Sequence, residues 1–235
     1  MAKRAQLPKR AGQTSKAQAA TRRSTNSWLL FGVIAAVLVV AIGVVVLQMQ
    51  SVRKPIEVSR RVGEGTAWGP VDAKVQITDY SDFGCSACAS FALGTGRRLR
   101  EEYETSGQVR FQFKSFIIGG PDTANAANAA ECAADQGRFW DYHDLLFSKQ
   151  GVTVDPFNKA ALKQYAATLG LDAAQFAQCV DSDQHLEKVY RDASEARGLG
   201  VNATPTFFIN GEKVDGVLPY ADFKARVEAA LVATQ

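Results

Sequence analysis

Histidine and cysteine are scarce in this chain: 235 residues hold two of the first and four of the second. That scarcity argues against a structural zinc centre, which wants four ligands and usually draws them from two close pairs. One close pair is present, Cys85 and Cys88, while Cys132 and Cys179 stand apart. His143 and His185 have no histidine four residues away, and both read as helix-surface residues. Acid is missing too, from the whole of the first 56 positions; Glu57 is the first carboxylate. Seven Lys/Arg lie within residues 1–27, so the formal net charge of +3 belongs to a tail. Beyond that tail, 20 of the 27 basic residues face all 24 acidic ones, a net of −4. A mildly acidic remainder excludes a nucleic-acid-binding surface.

Charge is also absent from WLLFGVIAAVLVVAIGVVVL, residues 28–47. Twenty helical residues span roughly 30 Å, the hydrocarbon thickness of a bilayer. A cleaved signal peptide is the competing reading, but its apolar region is shorter and ends at a small-x-small site. Here the run ends in VVVLQMQSV, and the nearest candidate, Ala41-Ile42-Gly43, lies inside it. The pattern predicts a retained anchor over 27–48, preceded by a disordered basic tail (1–26) and followed by a linker (49–66). Positive charge before the helix places the N-terminus in the cytoplasm and the rest of the chain outside. The four cysteines then face an oxidising compartment.

From residue 67 the pattern becomes globular. Val75–Tyr80 alternates and is β-branched, and VRFQFKSFII (109–118) alternates again, so both read as strands. A helix between them opens at Cys85 and runs to about Tyr103, with a bend at Gly94 and Gly96. Residues 121–198 read as helical throughout: the alanine-dense TANAANAAECAA, then FWDYHDLLF, then LKQYAATLG, then a helix capped by Asp172. Thr206–Ile209, Asn210-Gly211 and Lys213-Val214 form a hairpin signal, and YADFKARVEAALV closes the chain as a helix. The order predicts a mixed α/β domain with a helical insertion. Trp68, Trp140 and the phenylalanines read as core and groove lining.

The chemistry concentrates in FGCSACASFA, residues 83–92. Thiolates, not thiols, attack disulfides, and a cysteine at a helix N-terminus meets unpaired N–H groups that favour the anion. Cys85 stands at that turn as the exposed nucleophile; Cys88, one helical turn on, is the resolving thiol. Asp79, six residues before Cys85, is either an ordinary strand-end acid or a carboxylate that moves the proton of Cys88. Copper or zinc handling by the two thiols is a weaker alternative from a different functional class.

TDYSDFGCSAC, followed 120 residues after Cys85 by Pro205 in GVNATPTFFINGEKV, resembles the thioredoxin superfamily, specifically its DsbA-type disulfide oxidoreductases. The resemblance spans about residues 67–235 and implies a thioredoxin-like fold whose helical insertion is 121–198. It implies that Asp79 is the superfamily's buried acid and that Thr204-Pro205 is a cis peptide bond beside Cys85, presenting backbone to an extended substrate. Without it, Pro205 is a strand-start proline. It implies further a protein that passes a disulfide to reduced or unfolded exported proteins, needs no metal or organic cofactor, and is reoxidised by a quinone-linked membrane partner. A monomer is the default expectation. The dipeptide Ser86-Ala87 departs from the Pro-His of the family's best-known oxidase and tunes the potential differently, so a reductase or isomerase using the same site is the alternative. Cys132 and Cys179 enclose 46 residues within the insertion. In an exported domain they read first as a structural disulfide, with two separate buried thiols as the alternative, and the resemblance favours the bridge.

Overall fold

The computed structural model describes residues 31, 34–41, 65–152 and 154–234. The expected tail (1–26), most of the expected anchor (27–48) and all but the last two residues of the expected linker (49–66) lie outside these. Phe31 and residues 34–41 are helical, with Phe31, Ile34, Val37 and Leu38 exposed. Among the described residues no helix is long and apolar enough to cross a membrane. The chain divides into two units, Met1–Val58 and Ser59–Gln235, and the second carries the fold described below.

Five strands form one sheet in the order β1-β3-β2-β4-β5, built from β1 (Ala67–Trp68), β2 (Val75–Ser81), β3 (Val109–Ser115), β4 (Thr206–Ile209) and β5 (Glu212–Asp215). β2 and β3 run parallel; the other pairs are antiparallel. β1 was not expected, because two residues carry no period to read. Thr66, assigned by pattern to the linker, is buried, and its carbonyl accepts from the Phe113 N–H at 2.9 Å, so the folded unit begins before residue 67. β3 stops at Ser115, three residues short of the apolar run, since Phe116 leaves the strand to join a second core cluster.

Alternation along β2 and β3 puts Val75, Ile77, Asp79, Val109, Phe111 and Phe113 in the buried core. α1 (Ser86–Phe91), a π-helical turn (Ala92–Gly96) and α2 (Arg97–Tyr103) form one continuous helix, and the expected bend takes the form of that turn. The last helix, α8 (Tyr220–Ala233), packs on β2, β4 and α2. Tyr80, Phe116 and Val201 form the smaller cluster with Ala193 and Ala196.

The insertion consists of α3 (Pro121–Ala134), α4 (Phe139–Lys149), α5 (Lys159–Thr168), α6 (Ala173–Asp181) and α7 (Leu186–Gly198). α3 is its axis, buried on nearly every side against α4, α5, α6 and α7. Alanine serves twice there: it favours the helix, and its small side chain lets four neighbours approach. Asp172 caps α6, its Oδ1 accepting from the N–H groups of Ala174 and Gln175, both at 2.9 Å. Asn210 and Gly211 turn the β4–β5 hairpin with φ of 48° and 88°. The Asn210 side chain then ties that turn to β2, accepting from the Gln76 N–H at 2.7 Å and donating to the Lys74 carbonyl at 3.1 Å.

A disulfide joins Cys132 of α3 to Cys179 of α6 across 47 positions. Closing a loop of that length removes unfolded-state freedom worth about 4 kcal/mol in the chain-entropy model. Replacing both cysteines by alanine is expected to lower unfolding free energy by about that amount, read by urea denaturation of the full chain.

Candidate active site

Cys85 is held at the end of a turn fixed by one buried carboxylate. Asp82 follows β2 directly and has no solvent exposure. Its Oδ1 accepts from the Gly84 N–H at 2.6 Å, and its carbonyl accepts from the Cys85 N–H at 3.0 Å. Its Oδ2 accepts from the N–H groups of Ile118 (2.5 Å) and Gly119 (2.8 Å) and from the Thr123 hydroxyl (3.0 Å). Gly84 and Gly119 are needed for this approach: a Cβ on either would sit 2.6 Å from the Thr123 methyl. From the other side, the Gln150 side chain at the end of α4 donates to the carbonyls of Phe83 and, at 3.1 Å, Cys85. Neither Asp82 nor Gln150 was singled out by sequence; an acid three before a cysteine and a glutamine ending a helix have no distinctive spacing.

Cys85 occupies the N-cap of α1 and is half-buried; Cys88, one turn later, is 1 % exposed, and both are free thiols. The Thr204–Pro205 bond is cis and brings the Thr204 carbonyl within 3.4 Å of the Cys85 sulfur, which donates to it. The Thr204 hydroxyl is buried and has no hydrogen-bond partner among the described residues, which leaves it available to a Cys85 thiolate. Burial works against ionisation of Cys85, but hydrogen bonds from Thr204, from the Cys88 N–H and thiol, and from the Ala87 N–H outweigh it, and its pKa falls below the ordinary thiol value. Ser86, exposed on the first turn, is not among these donors. Cys88 is pushed the other way, first by burial and then by the negative charge of Asp79. The two sulfurs, one turn apart, are thus electrically unlike.

Asp79 lies on the core face of β2 between Phe113 of β3 and Phe207 of β4. Both phenyl rings are buried, and desolvation raises the Asp79 pKa to about 7, opposed by a 2.5 Å hydrogen bond donated by Ser81. The carboxyl therefore exchanges its proton near neutrality and feels the charge on Cys88, which an ordinary strand-end acid would not.

The histidines depart from expectation. His143 of α4 is buried, 3 % exposed, among the rings of Phe83, Phe113, Phe139, Trp140 and Phe147. The reading as a surface residue failed because FWDYHDLLF is apolar on more of its circumference than an outer helix needs. His185 lies half-buried over the disulfide, 2.7 Å from Asp135. Among the described residues, Cys132, Cys179 and His185 form the one group of three close metal-ligating side chains, and there the sulfurs are bonded to each other.

Two outcomes are expected. Thr204→Val removes a donor to the Cys85 thiolate and moves its ionisation midpoint upward, followed by thiolate absorbance against pH. Asp79 is held protonated above its unfolded pKa, so the folded state binds the extra proton. The penalty is absent below pH 4, grows between pH 4 and 7, and is complete above pH 7. Asp79→Asn therefore stabilises the fold at pH 8 by up to on the order of 4 kcal/mol and by little at pH 4, measured by denaturation at both.

A thioredoxin family model matches residues 61–229. The chain is 35 % identical over 162 residues to a Na(+)/H(+) antiporter NhaA of Herminiimonas arsenicoxydans, covering 69 % of this chain but 25 % of that protein. It spans about a quarter of the length of the several antiporters it resembles. It is 30 % identical over 148 residues to the probable disulfide bond formation protein D of Bacillus anthracis, covering 61 % of this chain and 68 % of that one. In fold it is similar to oxidised BdbD of Bacillus subtilis, with a TM-score of 0.66 and 23 % identity over 72 % of this chain and 93 % of the other. With the CxxC turn, the cis Thr204–Pro205 bond and the helical insertion in one domain, the chain belongs to the thioredoxin family and is of its DsbA type.

Proposed function

We propose that this chain, a thiol-disulfide oxidoreductase of the DsbA type, works in the oxidising direction outside the cytoplasmic membrane, donating its Cys85–Cys88 disulfide to exported proteins. A substrate thiolate attacks the Cys85 sulfur and the Cys85–Cys88 bond breaks. Cys88 leaves with the electron pair and takes a proton from Asp79. The substrate's second thiolate then attacks its own half of the mixed disulfide, forming the substrate disulfide and releasing Cys85 as a thiolate. Two thiols are oxidised and two sulfurs reduced, so the exchange balances without a metal or organic cofactor.

The single observation that carries the direction is the lowered pKa of Cys85 beside a buried, proton-holding Cys88. A stabilised thiolate in the reduced form makes the disulfide form the stronger oxidant. The Thr204 side chain supplies here what the side chains of Ser86 and Ala87 do not. The Thr204 carbonyl beside Cys85 suits main-chain pairing with an extended segment, which tolerates many substrates. Relatives named for disulfide bond formation support the same reading. The basic residues ahead of an uncharged apolar run support anchoring with the domain outside, and an anchored quinone-linked oxidase is the partner that would restore the disulfide.

Equilibrating the full chain in glutathione buffers, with Cys132 and Cys179 followed separately by mass spectrometry, measures the potential of the Cys85–Cys88 pair. The expected value lies well above that of the thioredoxin couple, about −270 mV. A value at or below that couple overturns the donor direction and makes the same site a reductase.

A further inference from the structure

Beside Asp79 lies a small cavity of about 10 Å³. Most of its wall is apolar, with Phe91, Phe111 and Trp68 contributing rings. Four polar side chains also line it: Asp79 from β2, Arg100 from α2, and Trp140 and His143 from α4. The volume is about that of one water-sized probe, and a buried water needs two to four polar partners. Trp140 meets that need from its side, because its indole Nε1–H is buried and has no hydrogen-bond partner among the described residues. A buried donor without a partner is costly, and one on a residue that lines a pocket of this size, with three other polar side chains around it, points to a bound water.

His143 connects the cavity to the outside. Its Nδ1 lies 2.9 Å from Asp144 Oδ1, and Asp144 in turn pairs with Arg100. The Asp144 side chain is 18 % exposed, so this chain of polar groups reaches solvent through α4. We propose that His143 is the proton station after Asp79, joined to it by one water held in the cavity by Trp140. This rests on the reading of Asp79 as the acid that serves Cys88. When a mixed disulfide at Cys85 is resolved, Cys88 gives its proton to Asp79 and attacks the Cys85 sulfur. The Cys85–Cys88 bond forms, and the bond to the outer thiol breaks with that thiol taking the electron pair. The proton passes from Asp79 through the water to His143 and leaves past Asp144. Disulfide donation runs the same path in reverse, bringing a proton inward to Cys88.

The charges facing this path favour it. The Asp144 carboxyl is held below its ordinary range, at about 2: burial opposes this, but bonds and charge from His143 and Arg100 prevail, so a carboxylate stands beside the His143 ring. Arg100, 5.4 Å from the Trp140 ring, balances that carboxylate. Cys88 and Ser81 are the other polar groups around Asp79, and neither leads outward.

The test is a single turnover of the full chain carrying an aromatic thiol on Cys85, its release followed by absorbance in H₂O and D₂O across pH 5.5–9. His143→Gln is expected to slow release about tenfold at pH 7 and to raise the solvent isotope effect. Trp140→Phe, which keeps a ring and loses the donor, is expected to do the same to a smaller degree. If His143→Gln does not fold, Trp140→Phe decides on the same two readouts. Unchanged rate and isotope effect in these variants, with Asp79→Asn slowed, would sink the relay and leave the reading of Asp79 intact. Unchanged release in Asp79→Asn as well would overturn both.

Discussion

The strand-to-helix turn at the end of β2 hangs on one carboxylate. Asp82 is fully buried and spends its oxygens on three backbone N–H groups and a hydroxyl, one from its own turn and three from the distant 118–123 stretch. A buried carboxyl group is tolerated only when it is hydrogen-bonded this fully. Removing any one donor would leave the others to hold it, but removing the carboxylate would orphan them all. The geometry of Cys85, the seating of the 118–123 segment and the closeness of Gly84 to Thr123 follow from this single group. Gln150 completes the clasp from the far end of α4, so the insertion touches the reactive turn at both sides.

With the turn fixed, the difference between the two sulfurs is a matter of surroundings, not of residue type. Cys85 faces backbone N–H groups and a threonine hydroxyl; Cys88 faces the core and a carboxyl. Asp79 is placed for this by strand parity. Being an odd-numbered residue of β2, it shares the face of Val75 and Ile77 and is flanked by two phenylalanines. A shift of one residue in register would turn it to the other face and leave Cys88 without a proton partner.

Much of this was legible in the sequence. Alternation gave β2 and β3, Asn210-Gly211 gave the hairpin, and Asp172 gave a helix start, because each rests on local backbone chemistry. The cysteine pair and Thr204-Pro205 were legible as residues, and their meeting was legible through family resemblance. What local pattern could not carry was the third dimension of the insertion. His143 was read as exposed because a helix with two apolar faces looks, residue by residue, like one with a single broad face. Thr66 and β1 were hidden by brevity, and Asp82 by the fact that its partners lie more than thirty residues away.

The insertion separates β3 from β4 by ninety residues, and β4 carries Thr204-Pro205 into its place between β2 and β5. In a chain made from its N-terminus, all four cysteines therefore emerge before the strand that shapes the reactive one. Until β4 docks, Cys85 lacks its threonine and Asp79 lacks one of its two flanking rings. Sequence order thus gives the chain the chance to close its own Cys132–Cys179 bridge before its reactive turn is complete.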